Sequence, residues 1–339
     1  MVLGAVAALI VAAGVLYQLA GARSSARRYP PPGELIDADG QRLHLVCEGV
    51  GRPAVVFESG IAASSLSWSR VLRGVAAFTR ACAYDRAGLG WSGAVHSPRS
   101  VSRMLHELGL VAAHVAGPTP IVLVGHSFGA LLACAYAAQR PDQIAGLALL
   151  DPPSEWEAMT REQRRLLRGG VRLSRLGGVL AHLGIVRASL ALLTGGAPGA
   201  SRAIARVFGP RAARMLERLV GEVRKLPEEA HPIVQAIWCQ PKCFGAMAAH
   251  LAVLPDTADA VRRISSLPPV PLVVVSSGDQ PADVLDRHRA LACLSSQGRH
   301  VVAATSGHWI QFDDPDLVVS TVREVVDLHL RQTVRSRPL

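Results

Sequence analysis

The chain has 339 residues, half of them hydrophobic and 18% charged, which excludes a disordered or fibrous protein and allows a full buried core. Its formal charge is +10, yet all 36 basic residues except Lys225 and Lys242 are arginine, and aromatics make up 4%. Such a bias fits GC-rich coding better than phosphate recognition, and no nucleic-acid-binding signature occurs, so no nucleic-acid partner is expected; attraction to anionic surfaces is retained.

Val2 to Ala22 carries no charged side chain. At 1.5 Å per residue it can cross a hydrocarbon layer of ~30 Å, and it is the one uncharged run long enough to do so. Arg23, Arg27 and Arg28 follow, and Pro30-Pro31-Pro32 closes any helix. Residues 1–22 are therefore expected to be an uncleaved membrane anchor and 23–33 a basic, proline-rich linker. A cleavable signal normally has a positive n-region, which is missing here. By the positive-inside rule the arginines favour a cytoplasmic catalytic domain. Ala20-Gly21-Ala22 resembles a cleavage site, so secretion after signal cleavage is the alternative.

Beyond the linker, short apolar runs alternate with amphipathic stretches. Leu43–Glu48 and Ala54–Glu58 read as strands around a Gly49–Pro53 turn, Ser67–Phe78 as a helix and Ala81–Tyr84 as a strand. Ser100 caps a helix to about Val115. Ile121–Val124 and Ile144–Leu150 are unbroken apolar runs, as in strands buried on both faces, with a helix from Ala130 to Gln139 between them. From Pro152 to about Pro268 the pattern is helical, broken by Gly169-Gly170, Gly177-Gly178 and Gly195-Gly196. Strand Pro271–Val275, helix Asp283–Leu294, strand His300–Ala304 and helix Pro315–Leu330 follow. The order implies a mostly parallel α/β sheet formed by 34–151 and 269–334, with a helical lid at 152–268.

Six cysteines are spread along the chain. Cys47, Cys82 and Cys134 lie in apolar stretches and read as buried thiols, whereas Cys239 and Cys243 are close enough for a local disulfide in an exported domain. A zinc site would need more ligands at close spacing, so neither metal nor cofactor is expected.

Gly125-His126-Ser127-Phe128-Gly129 lies between a strand and a helix, the setting of a nucleophile elbow. Glu58-Ser59-Gly60-Ile61 follows a strand, Tyr84-Asp85-Arg86-Ala87-Gly88-Leu89-Gly90-Trp91-Ser92 the next, and Ser306-Gly307-His308-Trp309 the last. With these stretches the chain, from about Leu43 to Leu330, resembles the α/β-hydrolase superfamily, in its lidded esterase, lipase and haloperoxidase-like branch. The resemblance implies Ser127 as nucleophile and His308 as base. It implies Asp279 as acid, since most of the superfamily places its aspartate there; Asp151, 24 residues after Ser127 at the end of its strand, is the alternative. The backbone N–H groups of Phe128 and Ile61 are the expected oxyanion donors. Ser59 departs from the family, which usually has His at that place, and this puts the loop's orientation and the substrate preference in question.

A serine hydroxyl needs a base, an orienting acid and oxyanion donors to attack an acyl carbon. The expected reaction is hydrolysis of a carboxylic ester, with a small-molecule, apolar acyl substrate indicated by the Leu-, Val- and Ala-rich lid. Acyl transfer and amide or C–C hydrolysis on the same fold are alternatives, as is a membrane-anchored binding protein that has lost activity. Epoxide and haloalkane hydrolysis are disfavoured, because those relatives carry aspartate where Ser127 stands.

Overall fold

The computed structural model describes residues 2–153, 159–194 and 223–335. Its centre is one eight-stranded sheet of β1 (Glu34–Ala38), β2 (Gln41–Glu48), β3 (Val55–Glu58), β4 (Ala81–Asp85), β5 (Ile121–His126), β6 (Ile144–Leu150), β7 (Leu272–Ser277) and β8 (Gly298–Ala303), in the order β1-β2-β4-β3-β5-β6-β7-β8. β2 is antiparallel to β1 and β4, and all the other pairs are parallel. The expected α/β sheet is thus present, with one difference of order. β2 and β3, read as strands around a turn, are not neighbours: β4 lies between them, because β3 reaches β4 through the crossover helix α2 (Ser69–Ala76).

The strands alternate their side chains between two cores, the period-two consequence of the pleat. Leu123 and Leu147 pack with α3 (Val101–Ala116) and α4 (Phe128–Gln139) on one face. Val122, Val124 and Ala148 pack with α2 and α11 (Pro315–Arg335) on the other. Helix α9 (Ala282–Ala292) joins β7 to β8, and the short α10 (Ile310–Asp313) follows β8. Ser100 caps α3 as expected, its hydroxyl accepting from the Arg103 N–H at 3.2 Å.

Helix α1 runs Val2–Arg28, past Ala22 to the prolines. Among the described residues of 152–268 there is no strand; the helices are α5 (Arg161–His182), α6 (Ile185–Thr194), α7 (His231–Trp238) and α8 (Pro241–Arg262). Thr160 and Gln163 form a reciprocal capping box at the start of α5. Gly169-Gly170 and Gly177-Gly178, read as breaks, lie inside α5. A methyl on Gly177 would stand 2.5 Å from the Phe244 ring, so this glycine lets α5 and α8 approach closely. Gly195-Gly196 lies outside the described residues.

The cysteine readings need correction. Cys47 and Cys82 are not thiols but a disulfide, because the β2–β4 register sets them opposite each other with Cα atoms 4.1 Å apart. Cys239 and Cys243 are both free: Cys239 ends α7, while the Cys243 thiol points to the Ile237 carbonyl at 3.3 Å. Cys134 is a free, buried thiol, and burial pushes it up to about 12.

Candidate active site

The carboxyl ends of β3, β5, β6, β7 and β8 meet along one edge of the sheet, where open α/β sheets hold their ligands. Ser127 sits between β5 and α4 with φ 53° and ψ −122°, the strained backbone of an elbow. Two neighbouring glycines allow it. A Cβ on Gly125 would lie 2.6 Å from the Ala130 Cα, and one on Gly129 would lie 2.3 Å from the Glu58 carbonyl. The elbow is tied to the next strand by the Ser127 N–H, which donates to the Leu150 carbonyl at 2.9 Å.

His308 lies in the loop between β8 and α10, with its side chain 38% exposed. Its Nδ1 is 2.7 Å from Oδ2 of Asp151. A carboxylate here only accepts, so Nδ1 carries the proton and Nε2 is left with a free lone pair, as a base for a serine hydroxyl requires. Asp151 itself is almost fully buried, at φ 39° directly after β6. Its oxygens also accept from the Ser277 N–H at 3.0 Å and from Gln280 Nε2 at 2.9 Å. Burial alone would raise this carboxyl, but the hydrogen bonds from His308, Ser277 and Gln280 hold it below the usual range.

Of the two acid candidates, the geometry therefore brings Asp151 to His308 and not Asp279. Asp279 lies on the exposed turn after β7, and its Oδ1 accepts from the Ser277 hydroxyl at 2.6 Å. The elbow is hydrogen-bonded directly to the end of β6, which brings Asp151 up to His308, whereas the Asp279 carboxylate is taken up by the Ser277 hydroxyl.

His126, the residue before Ser127, packs against His308. Its Nε2 donates to the His308 carbonyl at 2.9 Å, and its ring lies 4.8 Å from that of His308. Burial, then the charge of His308, pushes the His126 imidazole down to about 3, so it stays neutral. His44 belongs to a different group: Nδ1 lies 2.8 Å from Asp85, which also accepts from the Ser65 and Trp91 N–H groups. Asp85 thus pins its own glycine-rich turn, as well as the segment that follows the β3 loop.

That β3 loop carries Ile61, and it is held by a buried ion pair to which spacing alone assigned no role. The Arg86 guanidinium donates to the Ser59 and Gly60 carbonyls, both at 2.5 Å, and to the Glu58 carboxylate, which also accepts from the Tyr84 hydroxyl. Arg86 also lies over the Phe128 ring, 5.4 Å from its centroid. Burial pushes the Glu58 carboxyl up, with the Arg86 charge and the Tyr84 hydrogen bond opposing it. Ser59, the departure from the family pattern, accepts from Trp68 Nε1 at 2.9 Å. Loop and elbow are consequently fixed together: a Cβ on Gly60 would be 3.5 Å from that of Ser127. Among the described residues no turn or loop carbonyl accepts the N–H of Ile61, and that of Phe128 opens α4, where helix geometry leaves it without an internal partner. The one sequence signal for this arrangement was the pairing of Glu58 with the Tyr84-Asp85-Arg86 run.

Among the described residues no group of His, Cys, Asp or Glu is arranged to hold a metal ion.

Comparison with known proteins bears on the fold and the family. A protein described as an AB hydrolase superfamily protein from Gibberella zeae is 26% identical over 322 residues, covering 86% of this chain and 93% of its own. A putative carbamate hydrolase, RutD, from Klebsiella pneumoniae is 31% identical over 132 residues, 39% of this chain and 48% of that one. Among solved structures, a thermophilic esterase from Thermogutta terrifontis superposes with a TM-score of 0.60 at 20% identity, covering 86% of this chain and 95% of that one. The family model for the alpha/beta hydrolase fold matches residues 53–315, the span from the start of β3 to the start of α11, and the chain belongs to that family.

Proposed function

We propose that the chain is a serine hydrolase that cleaves a carboxylic ester, held at a membrane by α1. The observation that carries this reading is the 2.7 Å contact between His308 Nδ1 and buried Asp151, at the sheet edge where Ser127 occupies the strained elbow. In the proposed reaction Ser127 attacks the acyl carbon and His308 Nε2 takes its proton. Asp151 keeps the imidazole in the correct tautomer and steadies the imidazolium. The N–H groups of Phe128 and Ile61 receive the oxyanion, His308 protonates the departing alkoxide, and water attacks the acyl-enzyme in a second pass. Asp279 is not used. No step calls for a metal or cofactor. An apolar acyl group is supported by the aliphatic lid, and the anchor by the apolar, solvent-facing length of α1.

A fluorophosphonate probe tests the nucleophile. Ser127 should be labelled in the folded protein and Ser127→Ala should not react; an unlabelled Ser127 sinks the enzyme reading. A panel of p-nitrophenyl esters of graded chain length and the matching anilides then separates ester from amide hydrolysis, and the expected result is turnover of the esters and not of the anilides.

A further inference from the structure

Helix α1 is not free of the lid. Gly14, Gln18 and Gly21, spaced to share one helix face, meet the corner where α5 turns into α6. A methyl on Gly14 would stand 2.4 Å from the Leu183 carbonyl, and one on Gly21 would stand 2.6 Å from Arg187 Nε. Gly184 turns the corner at φ 73°, and a Cβ there would meet the Gly14 carbonyl at 2.6 Å. Between these contacts buried Gln18 donates to the Cys239 carbonyl at 2.9 Å and accepts from Arg187 Nε at 3.0 Å. Arg187 also donates to the Ser25 hydroxyl at 3.2 Å.

This packing fixes a depth. Arg23 is the first charged side chain after the apolar run. Gly14 lies nine residues before it, about 13 Å along the helix axis at 1.5 Å per residue. A leaflet's hydrocarbon layer is about 15 Å thick. If α1 crosses a bilayer with Arg23 at the headgroups, whatever touches Gly14 lies deep in the same leaflet, and that is the Leu183–Gly184 corner.

The surface of the corner suits that position. Leu173, Leu176 and Val179 of α5 and Ile185 and Leu192 of α6 are exposed, between 39% and 57%. Beside the leucines on α5 runs a basic face, Arg161, Arg164, Arg165, Arg168, Arg172 and Arg175, whose spacings of three, four and seven keep it on one side of the helix. Four of these arginines line an open groove of about 360 Å³ against Leu251 and Pro255 of α8. No carboxylate pairs with Arg168, Arg172 or Arg175 among the described residues. A helix with leucines along one flank and unpaired arginines along the next is the pattern of a segment lying at a lipid interface.

We infer that the α5–α6 corner dips into the leaflet that holds α1, with its aliphatic side chains among acyl chains and the α5 arginines on anionic headgroups. The lid of the site is then in contact with lipid, and an apolar substrate reaches it from the bilayer rather than from water. This rests on the reading of α1 as an anchor, and the experiment separates the two.

The full chain is reconstituted in nanodiscs of phosphatidylcholine carrying a diazirine in its acyl chain, with and without phosphatidylglycerol, and crosslinked peptides are read by mass spectrometry. Crosslinks should fall on both α1 and the 173–192 stretch. Crosslinks confined to α1, or a 173–192 stretch shielded by a second copy of the chain, overturn the dipping corner and leave the anchor standing. Absence of crosslinks on α1 removes the anchor, and this inference with it. Phenylglyoxal labelling of Arg168, Arg172 and Arg175 should fall about tenfold when phosphatidylglycerol is present, and recover in high salt. Equal labelling in both lipids overturns the headgroup contact.

Discussion

Strand β6 buries all seven of its residues, and Asp151, which follows it, is held by hydrogen bonds from His308, Gln280 and the Ser277 backbone N–H. Helix α5 has 22 residues, of which only Ser174 and Ala181 are buried. One region satisfies itself. The other leaves leucines and arginines facing outward, the surface that the inference above assigns to the bilayer. Catalytic geometry tolerates errors well below an ångström, which only a packed, fully paired framework delivers. The segment read as a lid needs no such rigidity, and the proposals above assign its surface to lipid and substrate.

Substitutions at the sheet edge should therefore act on turnover, with the largest effect at the acid. Asp151→Asn should lower kcat about 10⁴-fold, because the amide favours the wrong tautomer of His308. Asp279→Asn should stay within a few-fold of the parent in the same steady-state ester assay. The reverse ranking would break the comparison, since it would move the working carboxylate from a buried position to an exposed turn. Next comes Arg86→Met, which frees the Ser59 and Gly60 carbonyls and leaves Glu58 buried without its partner. It should cost about 3–5 kcal/mol of stability in urea unfolding, with a kcat loss of about 10²-fold. Adding Glu58→Gln should return most of the stability and none of the kcat. Recovery of both would mean that the pair serves packing and does not position the oxyanion loop.

The same contrast explains what could be read in advance. Ile121–Val124 and Ile144–Leu150 were legible as buried strands because burial on both faces leaves no polar position in the run. Ser127 and His308 were legible because an elbow and a post-strand loop have local signatures. The choice between Asp151 and Asp279 turned on which carboxylate reaches His308 across the sheet edge, and the Cys47–Cys82 bridge on the β2–β4 register; neither is encoded in spacing along the chain. The glycines of the lid misled for a related reason. Gly177 reads as a helix breaker until Phe244 is seen against it. The contact of α1 with the lid joins residues more than 160 apart through two glycines and a glutamine, which leaves no hydrophobic pattern to find.

Two buried histidines, His126 at the end of β5 and His250 on α8, give the fold a pH dependence. Burial, with the His308 charge added, pushes His126 down to about 3, and burial with the Arg86 and Arg99 charges takes His250 well below its ordinary range. Both are neutral in the folded protein, whereas the unfolded chain protonates them near 6.5. Below that pH the unfolded state binds more protons, so their contribution to stability is complete above about 6.5 and is lost as the pH falls. From pH 7 to pH 5 each should remove about 2 kcal/mol, read as a fall in the urea midpoint. His250 packs its ring 5.6 Å from that of Phe128 and has no hydrogen-bond partner on either nitrogen among the described residues, so His250→Phe should remove its share of the slope. An unchanged slope would show that His250 is protonated in the folded state.

The smallest expected effect is the most informative about the lid. Leu123 is fully buried in β5, and Leu123→Ala should cost about 2–5 kcal/mol, since a cavity in a close-packed core does not close. Leu173 is exposed on α5, and an ordinary surface leucine replaced by serine changes stability by less than about 0.5 kcal/mol. Leu173→Ser and Leu176→Ser should obey that rule in urea unfolding of the detergent-solubilised chain, while weakening acyl-chain crosslinking at the corner in nanodiscs. A loss of several kcal/mol in detergent would mean that these leucines are packed against the protein itself. The difference between the two regions would then vanish, and the lid would be a second core with no lipid-facing side.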